Sequence, residues 1–283
     1  MPAFVICPLS VVPIRMGSTN RSEMGSQLLF GEIAEVLETK GRQWTKIRCL
    51  HDDYIGWVPS GQLRDLSPAE AIEYKANFAF SLDVFYTLMG TTQGVPIPLG
   101  AHLPGFDGMR FSLGAEDFTF SGQAVFPEDI KPNATMVLKI ARKFINAPFL
   151  WGGRTIFGID SAALVQLAYG IAGYSLPRRP ETQVNRGEIV DFVEQALPGD
   201  IAFFENKQGK ITHSGILLPD GQLIHVHEKV RIDMIDHYGV FNLNEGNYTH
   251  RLRVVKRIFA PEKTKKASVK VKKEEDTQQR VLF

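Results

Sequence analysis

The stretch Phe149–Gly170, FLWGGRTIFGIDSAALVQLAYG, decides the fold of the region around it. A tight Gly158-Ile159-Asp160 turn precedes Ser161, and the residues that follow repeat apolar side chains at helical spacing, namely Leu164, Leu167, Ala168 and Ile171. This pattern predicts a helix that begins at Ser161. Because the first turn of a helix carries the positive end of the helix dipole, a nucleophile at position 161 would be well placed.

The identity of residue 161 limits the chemistry that this position can perform. A cysteine thiol there would have its pKa lowered and would react as a thiolate. A serine hydroxyl is a much weaker acid, so it gains far less from the same field. Ser161 therefore needs a general base that removes its proton during attack.

The candidate base is His213, which lies near the start of the predicted strand ITHSGILL. Pro219-Asp220-Gly221 predicts a type I turn followed by a glycine bulge, which joins this strand to QLIHVHEKVRIDMI. Counting back from the turn places His213 opposite His227 and diagonal to His225, on one face of the sheet. A neighbouring imidazole can fix the tautomer of the base, which is the orienting role in a triad.

The same three histidines allow two other interpretations. They could simply fill the surface of the sheet. They could also bind zinc, because three imidazoles and a water form a usable catalytic site. The His-x-His pattern alone does not separate these alternatives from a triad.

The chain divides into four segments by composition and periodicity. Residues 1–65 contain short strands separated by turn residues and predict a small β-barrel, and residues 66–131 predict a second small β domain with a long connector and one short helix. Residues 132–261 begin with helices and end with antiparallel strands, which is an α+β arrangement, with Asn133 as the first N-cap. Residues 262–283 are rich in lysine and glutamate and predict a disordered charged tail.

Charge and composition argue against several classes of partner. The 283 residues carry a formal net charge of +1 from 32 basic and 31 acidic residues, so no field is expected to attract nucleic acid or an anionic membrane. No stretch approaches the roughly 18 apolar residues of a membrane span. Two cysteines, Cys7 and Cys49, are too few for a disulfide framework, and no signal peptide is evident. We expect a cytoplasmic protein.

Several long motifs resemble a known family. The catalytic domain of the NlpC-type cell-wall cysteine peptidases is similar to FLWGGRTIFGID, LVQLAYGIAGYSLPR, PGDIAFFENKQGKITHSGI and GQLIHVH. The phrases QLLFGE, WTKIR and YIGWV resemble the bacterial SH3-like domains attached to such enzymes. The resemblance implies a papain-like catalytic domain preceded by two small SH3-like β-barrels. It points to the dipeptidyl-peptidase VI type, which cleaves the γ-D-glutamyl to diamino-acid bond of murein peptides with a free N-terminal L-Ala.

The resemblance also assigns roles to individual residues. His213 matches the base of the family and His225 its orienting third residue, whereas Ser161 stands where the family has its catalytic cysteine. Ala162 replaces a hydroxyl residue that helps to hold the substrate in the subfamily. Two changes at adjacent positions favour natural divergence over an engineered inactivation.

Substrate recognition is implied by a further set of positions. Asp160 matches the aspartate that holds the amine of L-Ala, and Glu23 and Tyr54 are the candidates for an acidic residue and a tyrosine of the first barrel. Such partners are chemically suited to a cation. Trp151 and Arg154 either line the site or shape its turn.

Two functions follow from these assignments. The first is a murein-peptide hydrolase in which Ser161 still works, with weakened activity. The second is a catalytically inactive protein that binds or senses muropeptides. Neither requires a cofactor, and the sequence leaves the oligomeric state open.

Overall fold

The computed structural model describes residues 3–243 and 245–260. The predicted charged tail, residues 262–283, lies outside the described residues. Within the described ranges, no helix is long and apolar enough to cross a membrane.

The first segment forms one antiparallel sheet of seven strands in the order β3-β2-β6-β5-β4-β1-β7. Alternate residues of Trp44–Cys49 point into the core, which is the period expected of a strand with one buried face. The strands are β1 (Ala3–Ile6), β2 (Val11–Arg15), β3 (Met24–Leu29), β4 (Ile33–Lys40), β5 (Trp44–Cys49), β6 (Ile55–Pro59) and β7 (Arg64–Leu66).

The second segment opens with helix α1 (Pro68–Ala76), where Ser67 and Glu70 form a capping box. Seven short strands follow and form two sheets, β10-β9-β13-β12 and β11-β8-β14. Phe30 of the first segment packs edge-on against Phe111 and Phe118 of the second, so the two segments share a core. The strands are β8 (Phe78–Ser81), β9 (Phe85–Gly90), β10 (Gly94–Pro98), β11 (His102–Pro104), β12 (Arg110–Leu113), β13 (Glu116–Thr119) and β14 (Ala124–Val125).

The third segment places helices before a sheet, as the sequence predicts. Asn133 caps α2 (Ala134–Arg142) by accepting a hydrogen bond from the Met136 amide. Strand β22 pairs with β23, which closes strands β18 to β23 into a barrel. The other elements are β15 (Arg154–Thr155), β16 (Gly158–Ile159), α3 (Ser161–Ile171), α4 (Pro180–Gln183), β17 (Glu188–Val190), β18 (Ile201–Glu205), β19 (Ile211–Leu218), β20 (Gln222–His227), β21 (Lys229–Ile235), β22 (Gly239–Asn242) and β23 (Asn247–Arg257).

Helix α3 is the central element of this segment. All of its residues except Gly170 are buried, and it packs against α2, β19 and β20. Tyr169 also donates a hydrogen bond to the carbonyl oxygen of Gly199. Because large-to-small changes at such sites cost about 2–5 kcal/mol, α3 is held firmly in place, and so is Ser161 at its first turn.

The hairpin between β19 and β20 has the predicted register but a different turn. Leu218 pairs with Gln222, and Gly215 pairs with His225. Asp220 and Gly221 both have positive φ angles, of 61° and 66°. A type I turn with a glycine bulge needs a positive φ only at the glycine, so the predicted turn type was wrong. The register brings the histidines of the two strands together.

Candidate active site

Asp160 fixes the start of α3. Its Oδ1 accepts a hydrogen bond from the Ala163 amide at 2.8 Å, and its Oδ2 accepts one from the Gly152 amide at 3.0 Å. Arg178 binds both oxygens, at 2.9 and 2.6 Å. The carboxylate is therefore already paired with a cation, and Ser161 occupies the first turn, where backbone N–H groups lack intrahelical partners.

The loop before α3 is docked on the first sheet. Gly152 has a φ of +76°, and a Cβ at this position would lie 2.3 Å from the carbonyl oxygen of Met24. Only glycine fits this close approach. The adjacent Trp151 donates its indole N–H to Glu23 Oε1 at 2.6 Å. The loop and the first sheet thus form one wall of the site together.

Three side chains form a hydrogen-bonded relay. His213 Nε2 lies 3.0 Å from His225 Nδ1, and His225 Nε2 lies 2.9 Å from Asp233 Oδ2. Since a carboxylate only accepts, His225 carries its proton on Nε2, and its Nδ1 accepts from His213 Nε2. This assignment leaves Nδ1 of His213 as the basic atom, and among the described residues it has no hydrogen-bond partner.

The imidazoles of the site are held in their neutral form. Burial, followed by the charges of His250, His225 and His227, lowers the pKa of His213 well below 6.5. Burial also lowers the pKa of His225, although the hydrogen bond to Asp233 opposes this effect. The pKa of His250 falls to about 3 because it is buried beside His225 and His227. Near pH 7 these rings are free to accept a proton.

A cavity of about 670 Å³ lies next to the relay. Its lining contains acidic and basic side chains, so the cavity favours a polar ligand that has both positively and negatively charged groups. The lining includes Ser161, His213, His250, Glu23, Trp151 and Arg179. We call this space the active-site cavity.

Two regions of the chain match protein families. Residues 15–63 match the bacterial dipeptidyl-peptidase Sh3 domain, and residues 146–256 match the NlpC/P60 family. The chain carries an NlpC/P60 domain.

Known proteins share this organisation. A gamma-D-glutamyl-L-lysine dipeptidyl-peptidase of Bacillus subtilis is 25% identical over 266 residues, which cover 87% of this chain and 85% of that protein. A Bacillus cereus protein of the same name is 25% identical over 73% of this chain and 68% of its own length. The crystal structure of an NlpC/P60 family protein from Bacillus cereus superposes with a TM-score of 0.76 at 20% identity, covering 90% of this chain and 99% of that one. The predicted α+β fold class is confirmed, with a papain-like domain behind an N-terminal SH3-like domain. That the second small β domain is also SH3-like stays a prediction.

The NlpC/P60 domain brings most of the sequence-predicted site residues together. Five of the predicted catalytic and substrate-binding residues line the active-site cavity, namely Ser161, Asp160, His213, Glu23 and Trp151. His225 is fully buried behind His213 and acts through it. His227 also lines the cavity, and its Nε2 lies 3.3 Å from Glu245 Oε1.

Two predicted residues of the site do not line the active-site cavity themselves. Arg154 is 2% exposed and is bound by both oxygens of Glu32 at 2.7 and 2.9 Å. Tyr54 is also buried, but its hydroxyl lies 3.4 Å from Nη2 of Arg179, which lines the cavity. Arg154 is therefore separate from the cavity, whereas Tyr54 lies directly behind its wall, and its role in binding stays a prediction.

Sequence reasoning missed three residues that matter to the NlpC/P60 site. Asp233 could have been found, because Val226 pairs with Val230 across a tight turn at Glu228 and this register puts Asp233 beside His225. Arg178 and His250 reach the site from a loop and from the long strand β23. No local pattern marks either of them.

The histidines that lie close enough to share a metal differ from the three that the sequence suggested. The ligand atoms of His213, His225 and His250 lie within 4.8 Å of one another, and His227 does not belong to this group. The rings of His213 and His250 stack at 4.0 Å with only 28° between their planes. Since ring nitrogen lone pairs lie in the ring plane, these two rings do not converge on one point. A relay suits this geometry better than zinc.

Proposed function

We propose that the protein binds murein peptides of the L-Ala-γ-D-Glu-diamino acid type in the active-site cavity and slowly hydrolyses the γ-D-glutamyl bond with Ser161 as nucleophile. One observation carries the proposal. The relay from Asp233 through His225 to His213 ends on a basic nitrogen of a side chain that lines the same cavity as Ser161.

The steps of the reaction follow from the relay. Ser161 Oγ attacks the γ-carbonyl carbon of D-Glu while its proton passes to Nδ1 of His213. Backbone N–H groups at the start of α3 stabilise the oxyanion. His213 then gives the proton to the departing amine of the diamino acid, and water hydrolyses the ester that remains on Ser161.

Asp233 supplies the negative charge that a pair of histidines lacks. In serine peptidases the aspartate stabilises the imidazolium that forms during attack. Here the carboxylate acts one ring further away, through His225. Arg231 binds the same carboxylate at 2.8 Å and reduces its effect.

Two features support slow turnover. A serine hydroxyl does not form the resting ion pair that a thiol forms with imidazole. The lowered pKa of His213 also makes it a weak base for so weak an acid. We therefore expect a rate well below that of a cysteine nucleophile at the same position.

We propose Glu23 as the principal partner of the free amine of L-Ala. Glu23 lines the cavity, and the Trp151 N–H holds its Oε1. The carboxylate of Asp160, by contrast, is already paired with Arg178. Asp160 therefore contributes mainly by capping α3.

The test is incubation with L-Ala-γ-D-Glu-diaminopimelate, with the products followed by mass spectrometry. We expect slow release of L-Ala-D-Glu by the native protein, none by Ser161→Ala, and faster release by Ser161→Cys. Equal release by the native protein and Ser161→Ala would refute Ser161 as nucleophile. Calorimetry with Ser161→Ala separates binding from turnover.

A muropeptide receptor is the second candidate. The observation that favours it is that Ser161 Oγ makes no hydrogen bond to His213 within the described ranges. On this alternative, Ser161→Ala binds the peptide as tightly as the native protein, and neither cleaves it. Loss of binding in Glu23→Gln is expected on both candidates.

A further inference from the structure

A second cavity of about 260 Å³ lies where the three segments of the chain meet. We call it the junction cavity. Its walls are mainly apolar and come from all three segments, namely Ile33, Leu50, Phe78, Phe80, Leu167 and Ile171. Its polar end is formed by Glu32, His51, Arg154 and Gln166. None of these residues belongs to the active-site cavity.

The polar end contains buried atoms that lack hydrogen-bond partners among the described residues. They are Gln166 Oε1, both ring nitrogens of His51 and Nε of Arg154. The Gln166 amide nitrogen donates to Asp52 Oδ2 at 2.8 Å and to the carbonyl oxygen of Leu176 at 3.1 Å, which fixes Oε1 as the free acceptor. Nearly all buried polar atoms in folded proteins are paired, so this set indicates a ligand.

His51 supplies donors at the same end. Burial alone would lower its pKa, but the carboxylates of Asp52 and Glu32 outweigh burial and raise the pKa above 6.5. Its Nε2 lies 3.3 Å from Asp52 Oδ2 and 3.7 Å from Glu32 Oε1. The other nitrogen, Nδ1, is then a protonated donor, and it faces neither carboxylate within ion-pair distance.

The buried charges at this end balance, and Lys75, the one further residue with a fixed positive charge among the described residues that line the cavity, is exposed to solvent. Glu32 and Asp52 contribute two negative charges, and Arg154 and His51 contribute two positive charges. A charged ligand would lose its hydration here without a net opposite charge to compensate. A neutral ligand avoids this cost and gains from the apolar walls.

One chemical group satisfies two of these four atoms, Nδ1 of His51 and Oε1 of Gln166. A hydroxyl oxygen can accept from the N–H of His51 and at the same time donate its proton to Gln166 Oε1. We propose that the junction cavity binds an uncharged aromatic or aliphatic alcohol, with its hydroxyl between His51 and Gln166 and its apolar body between Phe80 and Ile171.

Helix α3 connects this site to the active site. Its first turn presents Ser161 to the active-site cavity, and its second half presents Gln166, Leu167 and Ile171 to the junction cavity. A ligand in the junction cavity contacts all three segments. It is therefore placed to stabilise their docking, and with it the position of α3.

The test uses 4-methylphenol as the probe, with toluene and 4-methylbenzoate as matched comparisons. Titration is followed by methyl NMR of the native protein, where Ile171 reports the junction cavity and Ile47, in the core of the first sheet, is the internal control. We expect 4-methylphenol to shift the Ile171 signal and leave Ile47 unchanged. Toluene should bind at least tenfold more weakly, and 4-methylbenzoate should not bind.

A matched pair of variants completes the test. Gly170 lines the junction cavity, and a Cβ there would meet nothing within 4 Å, so Gly170→Leu adds an apolar side chain at the cavity without a clash at its Cβ. Gly61 has the same open space outside the cavity, and Gly61→Leu is the control. Gly170→Leu should abolish the shift and Gly61→Leu should keep it. Absence of binding by 4-methylphenol, equal binding of toluene, or unchanged binding in Gly170→Leu would each overturn the proposal.

Discussion

The pKa values of buried histidines are shifted in opposite directions in two clusters of this molecule. In the active site, His213, His225 and His250 lie together with a single carboxylate, Asp233, and their pKa values are lowered. In the junction cluster, which consists of Glu32, His51, Asp52 and Arg154, one imidazole faces two carboxylates and its pKa is raised.

The number of carboxylates close to the ring accounts for the difference, because two face His51, whereas the pKa of His102, which is buried near Glu32, is lowered to about 4. Burial always favours the neutral ring, and several neighbouring imidazoles add to that effect. Two carboxylates at close range reverse it. The first arrangement keeps bases ready to accept a proton, whereas the second holds permanent charges that join one segment to another.

The largest expected effect concerns the ion pair of the junction cluster. Glu32→Gln leaves the Arg154 guanidinium, which is 2% exposed, without its bidentate partner. Breaking one side of a buried pair costs about 3–5 kcal/mol, so the free energy of unfolding in urea should fall by that amount. The control is Glu35→Gln, because its partner Arg48 is 42% exposed and a solvent-accessible pair contributes about 0–1 kcal/mol. Equal losses in the two variants would contradict the comparison.

The next effect concerns the relay. Asp233→Asn replaces the charged acceptor that fixes the proton of His225 on Nε2, so His213 presents its free nitrogen on Nδ1 in only part of the molecules. We expect hydrolysis to fall by less than the roughly 10⁴-fold that loss of a triad aspartate costs, because Asp233 acts one ring further away and also binds Arg231. Asp236→Asn, which changes an aspartate just after β21 bonded to Tyr248, should leave the rate unchanged.

A tautomer measurement keeps the same prediction testable if turnover is too slow to follow. Nitrogen chemical shifts of the His213 ring report which nitrogen carries the proton. The native protein should show the proton on Nε2, and Asp233→Asn should show a mixture. An unchanged tautomer in Asp233→Asn would show that Asp233 does not control which nitrogen of His213 carries the proton.

The pH dependence of stability should have opposite signs at the two clusters. The raised pKa of His51 means that its stabilisation is complete below pH 6.5 and is lost as the pH rises through the folded value. The lowered pKa of His250, about 3, means that stability is present above pH 6.5 and is lost as the pH falls towards 3. Each histidine contributes a slope of at most about 1.4 kcal/mol per pH unit.

Urea unfolding of two variants checks these signs. The cost of His51→Gln relative to the native protein should be larger at pH 5.5 than at pH 8.5. The cost of His250→Gln should be larger at pH 7.5 than at pH 5. Costs that do not change with pH would show that neither ring differs in protonation between the folded and unfolded states.

Features that rest on residues close together in the sequence could be predicted, whereas contacts between residues far apart in the sequence could not. The start of α3, the Asn133 cap and the pairing of Leu218 with Gln222 rest on residues a few positions apart, and local patterns predicted them. The partners of Arg154 and Asp160 rest on docking between distant parts of the chain. Arg154 reaches Glu32 across 122 residues, so the sequence could not decide whether it lines the site or shapes the turn.

The smallest expected effect is the binding of zinc by the histidines of the active site. One ring nitrogen of His213 and one of His225 are already hydrogen-bonded to each other. The ring of His250 stacks on His213, so the lone pairs of these two rings lie in nearly parallel planes. After dialysis against zinc and removal of free metal, the native protein should hold far less than one equivalent, and His250→Ala should not differ from the exposed control His237→Ala. One equivalent held by the native protein and by His237→Ala but lost in His250→Ala would make the cluster a metal centre. The relay would then have to open, because His225 Nδ1 cannot bind zinc and accept from His213 at the same time.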